Sequence, residues 1–278
     1  MAVSKLSDQE LTALCHRFRI QLVELLHAIQ TGHPGGSLSA CEIITTLYQR
    51  ILNVDPSRPE WEERDRFILS KGHAAPMLYL NLAERGFFKK EKLKSLRQIN
   101  SMLQGHPCAH KTPGVELSTG PLGLGLSAGT GMAAAAKLKE LSYYTYVLLG
   151  DGEIQEGVIW EGLMTAAKFK LDHLIAILDH NKVQLDGTVE EIMPEPNLKE
   201  RFEAFGWQVI VCNGHCVAAI TAAIEEAKEV KGKPIMIMAQ TVKGKGISFM
   251  EGKNSWHGSP ITDAYYEQAM RELKEVLL

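Results

Sequence analysis

The sequence has no apolar stretch approaching the ~18 residues a membrane-spanning helix needs; runs such as Leu174-Ile175-Ala176-Ile177-Leu178 stop far short of it. A transmembrane protein is therefore not expected. It also has no basic block: 30 Lys and Arg against 33 Asp and Glu leave a net charge of −3, which argues against a nucleic-acid surface. The five cysteines form no C-x-x-C pair, and an odd number suits reduced thiols better than a disulfide framework. Met1-Ala2-Val3-Ser4-Lys5 leads into a polar helix with no apolar run and no small-residue cleavage site, so the expected location is the cytoplasm. Internal repeats and low-complexity segments are absent as well.

What is present is 278 residues of alternating pattern, about 1.9 domains at ~150 residues each and enough for a full core. Ser7-Asp8-Gln9-Glu10 has capping-box spacing, and Leu11, Leu14, Phe18, Leu22, Leu25 and Ile29 recur every three or four residues, which predicts an amphipathic helix. It stops at Thr31-Gly32-His33-Pro34-Gly35-Gly36, and further helices are expected over 39–50, 75–85 and 90–98. From residue 121 the character changes. Helices over 127–141, 155–169, 198–205 and 217–230 alternate with strand-like runs over 145–149, 174–178, 207–211 and 235–240, and a last helix covers 264–278. The expectation is one α/β domain over 1–278: a helix-rich part to residue 120, a mostly parallel sheet flanked by helices over 121–250, and a closing loop and helix over 251–278.

In such a sheet, ligands sit beyond the carboxyl ends of the strands. Gly150-Asp151-Gly152 follows one strand and Asp179-His180-Asn181 follows the next. If those strands are neighbours, their ends lie ~4.8 Å apart and Asp151 and Asn181 can share a cation. A carboxylate, an amide oxygen and a nearby carbonyl are hard ligands suited to Mg²⁺ holding phosphate oxygens. Gly152 permits close backbone approach, and a helix opening near Gln155 would aim its amides at an anion. Gly-Asp-Gly alone is an ordinary turn; its place between strand and helix, with Asn at the next strand end, favours a diphosphate site.

The stretch Gly150-Asp151-Gly152-Glu153-Ile154-Gln155-Glu156-Gly157, with Asn181-Lys182-Val183 about thirty residues on, resembles the thiamine diphosphate motif of the transketolase family. Five further stretches agree in order: Gly32 to Gly36, Asp65 to Ala74, Gly105-His106-Pro107, Thr119 to Gly123, and Ser255-Trp256-His257-Gly258. The resemblance implies a thiamine diphosphate-binding fold. It also implies a metal, Mg²⁺ with Ca²⁺ or Mn²⁺ as substitutes, on Asp151, Asn181 and the Val183 carbonyl. Gly152, His73 and Lys71 would meet the diphosphate, and Gly120, Pro121, Leu122 and Gly123 the aminopyrimidine, with His257 also near the cofactor. Glu156 matches a carboxylate linking two active sites across a subunit interface. His33, His106 and His257 match histidines that bind the sugar and move protons, work suited to a group of pKa near 6.5. Arg97 has a family counterpart without an assigned role.

Two positions depart from the family pattern: Cys216 stands where Asp is common, a weaker helix cap, and Leu124 where Gln is common. His16, His27 and His173 are expected on helix surfaces. Neither His106 to His110 nor Cys212 to Cys216 has zinc-finger spacing, and Lys243-Gly244-Lys245-Gly246 lacks P-loop spacing and is expected to be a flexible segment delivering His257. Only 20 residues follow Gly258. The family's pyrimidine-binding and third domains are therefore expected on a separate C-terminal subunit, in a heterotetramer that moves a two-carbon ketol unit between sugar phosphates, as in the pentose phosphate pathway. A subunit acting on an unusual or branched sugar phosphate and a non-catalytic homologue are the other readings left open.

Overall fold

Strands β1 (Arg66–Leu69), β2 (Thr145–Gly150), β3 (Leu174–His180), β4 (Gln208–Asn213) and β5 (Ile235–Gln240) form one sheet in the order β1-β2-β3-β5-β4, with every pair parallel. The structure is a computed structural model that describes residues 6–275; the reading of Met1 to Lys5 and the last three residues of the expected final helix lie outside the described residues. The apolar runs at β2, β3 and β5 are buried on both faces, as parallel strands between helices must be. Alternate residues supply two cores. Phe67, Tyr146, Leu148, Ile175, Ile177 and Ile237 face one side, where they meet α1 (Asp8–Ile29), α3 (Cys41–Thr46), α4 (Ala75–Arg85), α9 (Val217–Glu229) and α10 (Asp263–Glu275). Ile68, Val147, Leu149, Ala176 and Met236 face the other, against α5 (Leu124–Leu138), α6 (Gly157–Lys168) and α8 (Leu198–Ala204), which follows the one-turn α7 (Val189–Ile192).

The Ser7 capping box forms as expected and α1 ends at Gln30 in the left-handed region. Elsewhere boundaries move for physical reasons. The second helix, α2 (Pro34–Ser39), begins at proline, whose missing N–H costs nothing in a first turn, and so takes Gly35 and Gly36 into the helix. Residues 47–51 continue α3 as a π turn, and 90–95 form a 3₁₀ turn rather than a helix to 98. Strand β1 is an addition: four residues opening on Arg66 give too short an apolar run to read as a strand, yet it forms the sheet edge beside β2. His173 lies in the turn before β3 and not on a helix, stacked on Tyr144 with 4.4 Å between ring centroids. His27 does lie on α1, where it stacks on Tyr266 at 4.1 Å and bonds Asp263, pinning α10. His16 also lies on α1. Cys216 caps α9 without a side-chain bond, the weak cap its sulfur predicts. No helix among the described residues is long and apolar enough to cross a membrane.

Candidate active site

Four strand ends and α2 converge at the carboxyl edge of the sheet. Gly150 pairs in register with Asp179, so Asp151 and Asn181 emerge side by side. Asp151 is buried; one oxygen lies 2.8 Å from His180 Nδ1, and the other accepts the Lys182 amide. Asn181 Oδ1 accepts from Val183 N at 3.1 Å, which turns the 181–183 loop inward. Asp151, Asn181 and Val183 line one cavity of about 230 Å³ together with Gly152, Lys71, His73, Leu122, Lys243 and His257. The amides following Asp151 belong to a 3₁₀ turn over Gly152–Gln155; α6 begins only at Gly157, after the Gln155 start expected from the sequence.

Lys71 enters from the loop after β1 and is buried to 1% exposure against Asp179 at 0%. Its ammonium also donates to the Gly36 carbonyl at 3.0 Å. Asp179 in turn accepts from Ser39 Oγ at 2.6 Å and from Thr241. Burial pushes its carboxyl up, but Lys71 and these hydroxyls outweigh that and hold it below the ordinary carboxylate range. Glu153 is a second buried carboxylate, accepting from Ser70, from Gly123 N at 2.9 Å and from Gly150 N at 3.0 Å. It ties three loops of the site together, and burial raises its carboxyl.

Four imidazoles crowd the mouth. His33 lies 5.5 Å from His73, 6.0 Å from His106 and 5.4 Å from His257, and His73 lies 4.8 Å from His257, all between ring centroids. Gly36 is needed here because a Cβ would meet the His73 ring at 3.0 Å. Arg97 donates to His33 Nδ1 at 3.4 Å and to Thr31 at 3.1 Å, while Lys243 Nζ lies 3.0 Å from His257 Nδ1. Burial and the nearby cations push His33 to about 4 and His257 to about 3, with His73 well below its usual value and His106 lowered. These histidines are therefore neutral at pH 7, contrary to the expectation of a pKa near 6.5.

Gly120, with φ of +153°, lies against His106: a Cβ would come within 3.4 Å of its ring. Pro121, Leu122 and Gly123 lead into α5, and Leu122 reaches the cavity. Glu156 does not join them. It is exposed at the start of α6, beside the Gly123 turn and outside the cavity lining.

Lys243 carries no motif that would mark it in the sequence, yet it is buried to 2% exposure in the same cavity. Its Nζ donates to the carbonyls of Val183 at 3.2 Å and Gln184 at 3.3 Å. Burial and the Lys71 charge pull it down to about 8. The segment carrying it is tied rather than flexible: Gly244 N bonds Gly35 O at 3.0 Å and Gly252 N bonds Lys243 O at 2.9 Å. The signal available in the sequence is the pair of glycines, since at Gly244 (φ +77°) a Cβ would meet the Met250 carbonyl and at Gly246 (φ +96°) the Arg19 side chain. Sequence pattern assigns His180 no role, yet it bonds Asp151; burial lowers it, but that bond wins and raises it.

Oxygen donors and two buried lysines line one cavity at the carboxyl edge of a parallel sheet, the edge where such sheets bind ligands. Residues 11–274 match the family described as transketolase, thiamine diphosphate binding domain. The chain belongs to the transketolase family. It is 45% identical over 253 residues to the 6-deoxy-6-sulfo-D-fructose transketolase subunit of Clostridium sp. (strain MSTE9), covering 91% of this chain and 92% of that one. It is 43% identical to an apulose-4-phosphate transketolase subunit of Phocaeicola vulgatus, covering 92% and 91%. The transketolase structure from Campylobacter jejuni superposes with a TM-score of 0.91 at 34% identity, covering 97% of this chain but 43% of that one.

Proposed function

We propose that this chain is the thiamine diphosphate-binding, N-terminal subunit of a two-chain transketolase, which moves a two-carbon ketol unit from a ketose phosphate to an aldose phosphate. The observation that carries the reading is the convergence of Asp151, Asn181 and the Val183 carbonyl with Lys71, His73 and Lys243 around one cavity. The residues fit the cofactor and its metal. The donor set is all oxygen, as Mg²⁺ requires. Gly152 leaves a cradle that a Cβ would fill, 2.7 Å from Gln184 Oε1. Asp151, Asn181 and Val183 would hold the metal, and Lys71, His73, Gly152 and Lys243 the diphosphate. The loop Gly120 to Gly123, with His257, would lie along the rest of the cofactor.

Thiamine diphosphate supplies the carbanion chemistry when bound. The chain's own task is then to hold the sugar and move its hydroxyl proton. Donation from Arg97 and Lys243 to the Nδ1 atoms of His33 and His257 leaves their ring protons on Nε2. Those N–H groups would bond sugar oxygens, and His106, whose ring nitrogens are held by no cationic donor among the described residues, would take up the hydroxyl proton. A bound anion beside them opposes the local cations and makes the protonated form easier to reach. Exposed Glu156 would serve a neighbouring subunit. The subunit names of relatives of matching length support a partner chain; in this reading the partner bears the remaining domains and the assembly is a heterotetramer of two copies of each.

The test is calorimetry on the chain together with its partner. Thiamine diphosphate should bind only with Mg²⁺, and Asp151→Ala should abolish that binding without loss of circular dichroism. Retained metal-dependent affinity would overturn the metal assignment. Ketol transfer by the chain alone would overturn the two-chain reading.

A further inference from the structure

A buried ion pair and a partly buried histidine bonded to it lie outside the cavity, behind the strap of residues 241–257. Glu42, at 6% exposure on α3, takes the guanidinium of Arg19 from α1 with both oxygens, at 2.7 and 2.9 Å. One of those oxygens also lies 3.0 Å from Nδ1 of His215, in the loop between β4 and α9. Cys15, Cys41 and Glu42 are close enough to one another to hold a metal, but the guanidinium already occupies the carboxylate as its counter-ion.

Each end of the triad grips the strap. The Val242 amide donates to His215 Nε2 at 2.8 Å, so Nε2 carries no proton and Nδ1–H donates to Glu42. Arg19 Nε donates to the Lys245 carbonyl at 3.0 Å, and Gly246 is held against the same side chain, where a Cβ would meet Arg19 Cδ at 2.9 Å. The two grips fall one residue before and two residues after Lys243. Between them the chain has no freedom to turn, and Lys243 is delivered to Val183, Gln184 and His257.

We infer that Arg19, Glu42 and His215 form a positioning clamp, which sets Lys243 in the diphosphate cavity by fixing Val242 and Lys245 from behind. The inference rests on the reading of that cavity as the cofactor site. None of the three touches the cavity, so they are positioning residues and not catalytic ones.

The test uses two substitutions at one position in the full chain with its partner. His215→Gln keeps an acceptor at the reach of Nε2, whereas His215→Asn keeps a donor toward Glu42 but offers Val242 nothing. Amide hydrogen exchange at Val242 to Lys245 should be as in the parent for the Gln variant. In the Asn variant it should be at least about tenfold faster, with the β3 and β5 amides unchanged. Affinity for thiamine diphosphate with Mg²⁺ should fall about tenfold in the Asn variant alone, because only the clamped fraction of molecules binds. Equal behaviour of the two variants in exchange would overturn the clamp, and an exchange difference without an affinity difference would overturn its role in setting Lys243. If the parent itself binds no thiamine diphosphate while the exchange difference appears, the clamp stands and the cofactor reading falls.

Discussion

Replacement of Asp179 by Asn isolates the electrostatics beneath the site, because the amide keeps the shape of the carboxylate and removes its charge. Lys71 would then be left at 1% exposure against a neutral group; Ser39 and Thr241 donate to different oxygens of Asp179, so one hydroxyl keeps an oxygen and the other turns to accept from the new NH2. Breaking a buried pair by removing one partner costs about 3–5 kcal/mol. An independent ceiling comes from the alternative of shedding the lysine proton. Starting from an ordinary lysine pKa of about 10.4, neutralisation at pH 7.5 costs about 4 kcal/mol, and at pH 9 about 2 kcal/mol. The expected loss is therefore about 3–4 kcal/mol at pH 7.5, shrinking by about half at pH 9. For a domain of this size it corresponds to roughly 6–16 °C in melting temperature. The assay is thermal unfolding of the cofactor-free chain at both pH values, with the Lys71→Met and double variants completing a cycle. The double variant should recover part of the loss, since it leaves no ammonium buried without a counter-ion. A loss below about 1 kcal/mol at pH 7.5, or two single losses that simply add, would refute the pairing as a structural element.

Gly123→Ala should destabilise by about 1–3 kcal/mol, since φ there is +85° and the new Cβ would meet Val158 Cγ1 at 2.5 Å; a melting temperature within 1–2 °C of the parent, by roughly the same scaling, would count against a fixed turn. The histidine cluster makes a signed pH prediction. His33 and His257 have folded values pushed down to about 4 and about 3, while the unfolded chain binds protons near 6.5. Between those limits the unfolded state holds more protons, so stability falls as pH is lowered from 7 toward 4. Urea midpoints across that window should show the slope flattened in a His33→Asn, His257→Asn variant; an unchanged slope would remove these two groups as its source.

What could be read from the sequence was whatever lies within one local signal. Strands β2, β3 and β5 are largely apolar runs, and Asp151 and Asn181 stand immediately after two of them, so the parallel sheet and the two residues beyond its strand ends followed from short-range pattern, while the register that sets them beside each other did not. β1 escaped because four residues opening on an arginine carry no such pattern. The buried ionic pairings escaped for another reason: the partners are remote in sequence. Lys71 meets Asp179 across 108 residues, His215 meets Glu42 across 173, and Arg19 meets Lys245 across 226. A lysine or glutamate in isolation reads as a solvated surface residue, and only the fold brings in the counter-charge that permits burial. The depressed histidines belong with this group, because composition supplies their ordinary pKa and not the burial and cations that shift it.

The tethering of the 241–257 strap bears on how tightly an anion can be held there. Ordering a residue's backbone costs about 1–2 kcal/mol. Were Lys243 delivered on a free segment, fixing only the four residues from Val242 to Lys245 on binding would cost roughly 4–8 kcal/mol, as much as the whole free energy of a complex with a micromolar dissociation constant, about 8 kcal/mol. Here that ordering is built into the fold instead, through the Val242 and Lys245 grips, the Gly244 bond to Gly35 and the Gly252 bond to Lys243. The cost is offset by the cores that α1, α3 and α9 build against the sheet. A lysine held in place by folding alone contributes its interaction with an anion directly to affinity, which is why α1, α3 and α9, none of which lines the cavity, bear on what the cavity can bind.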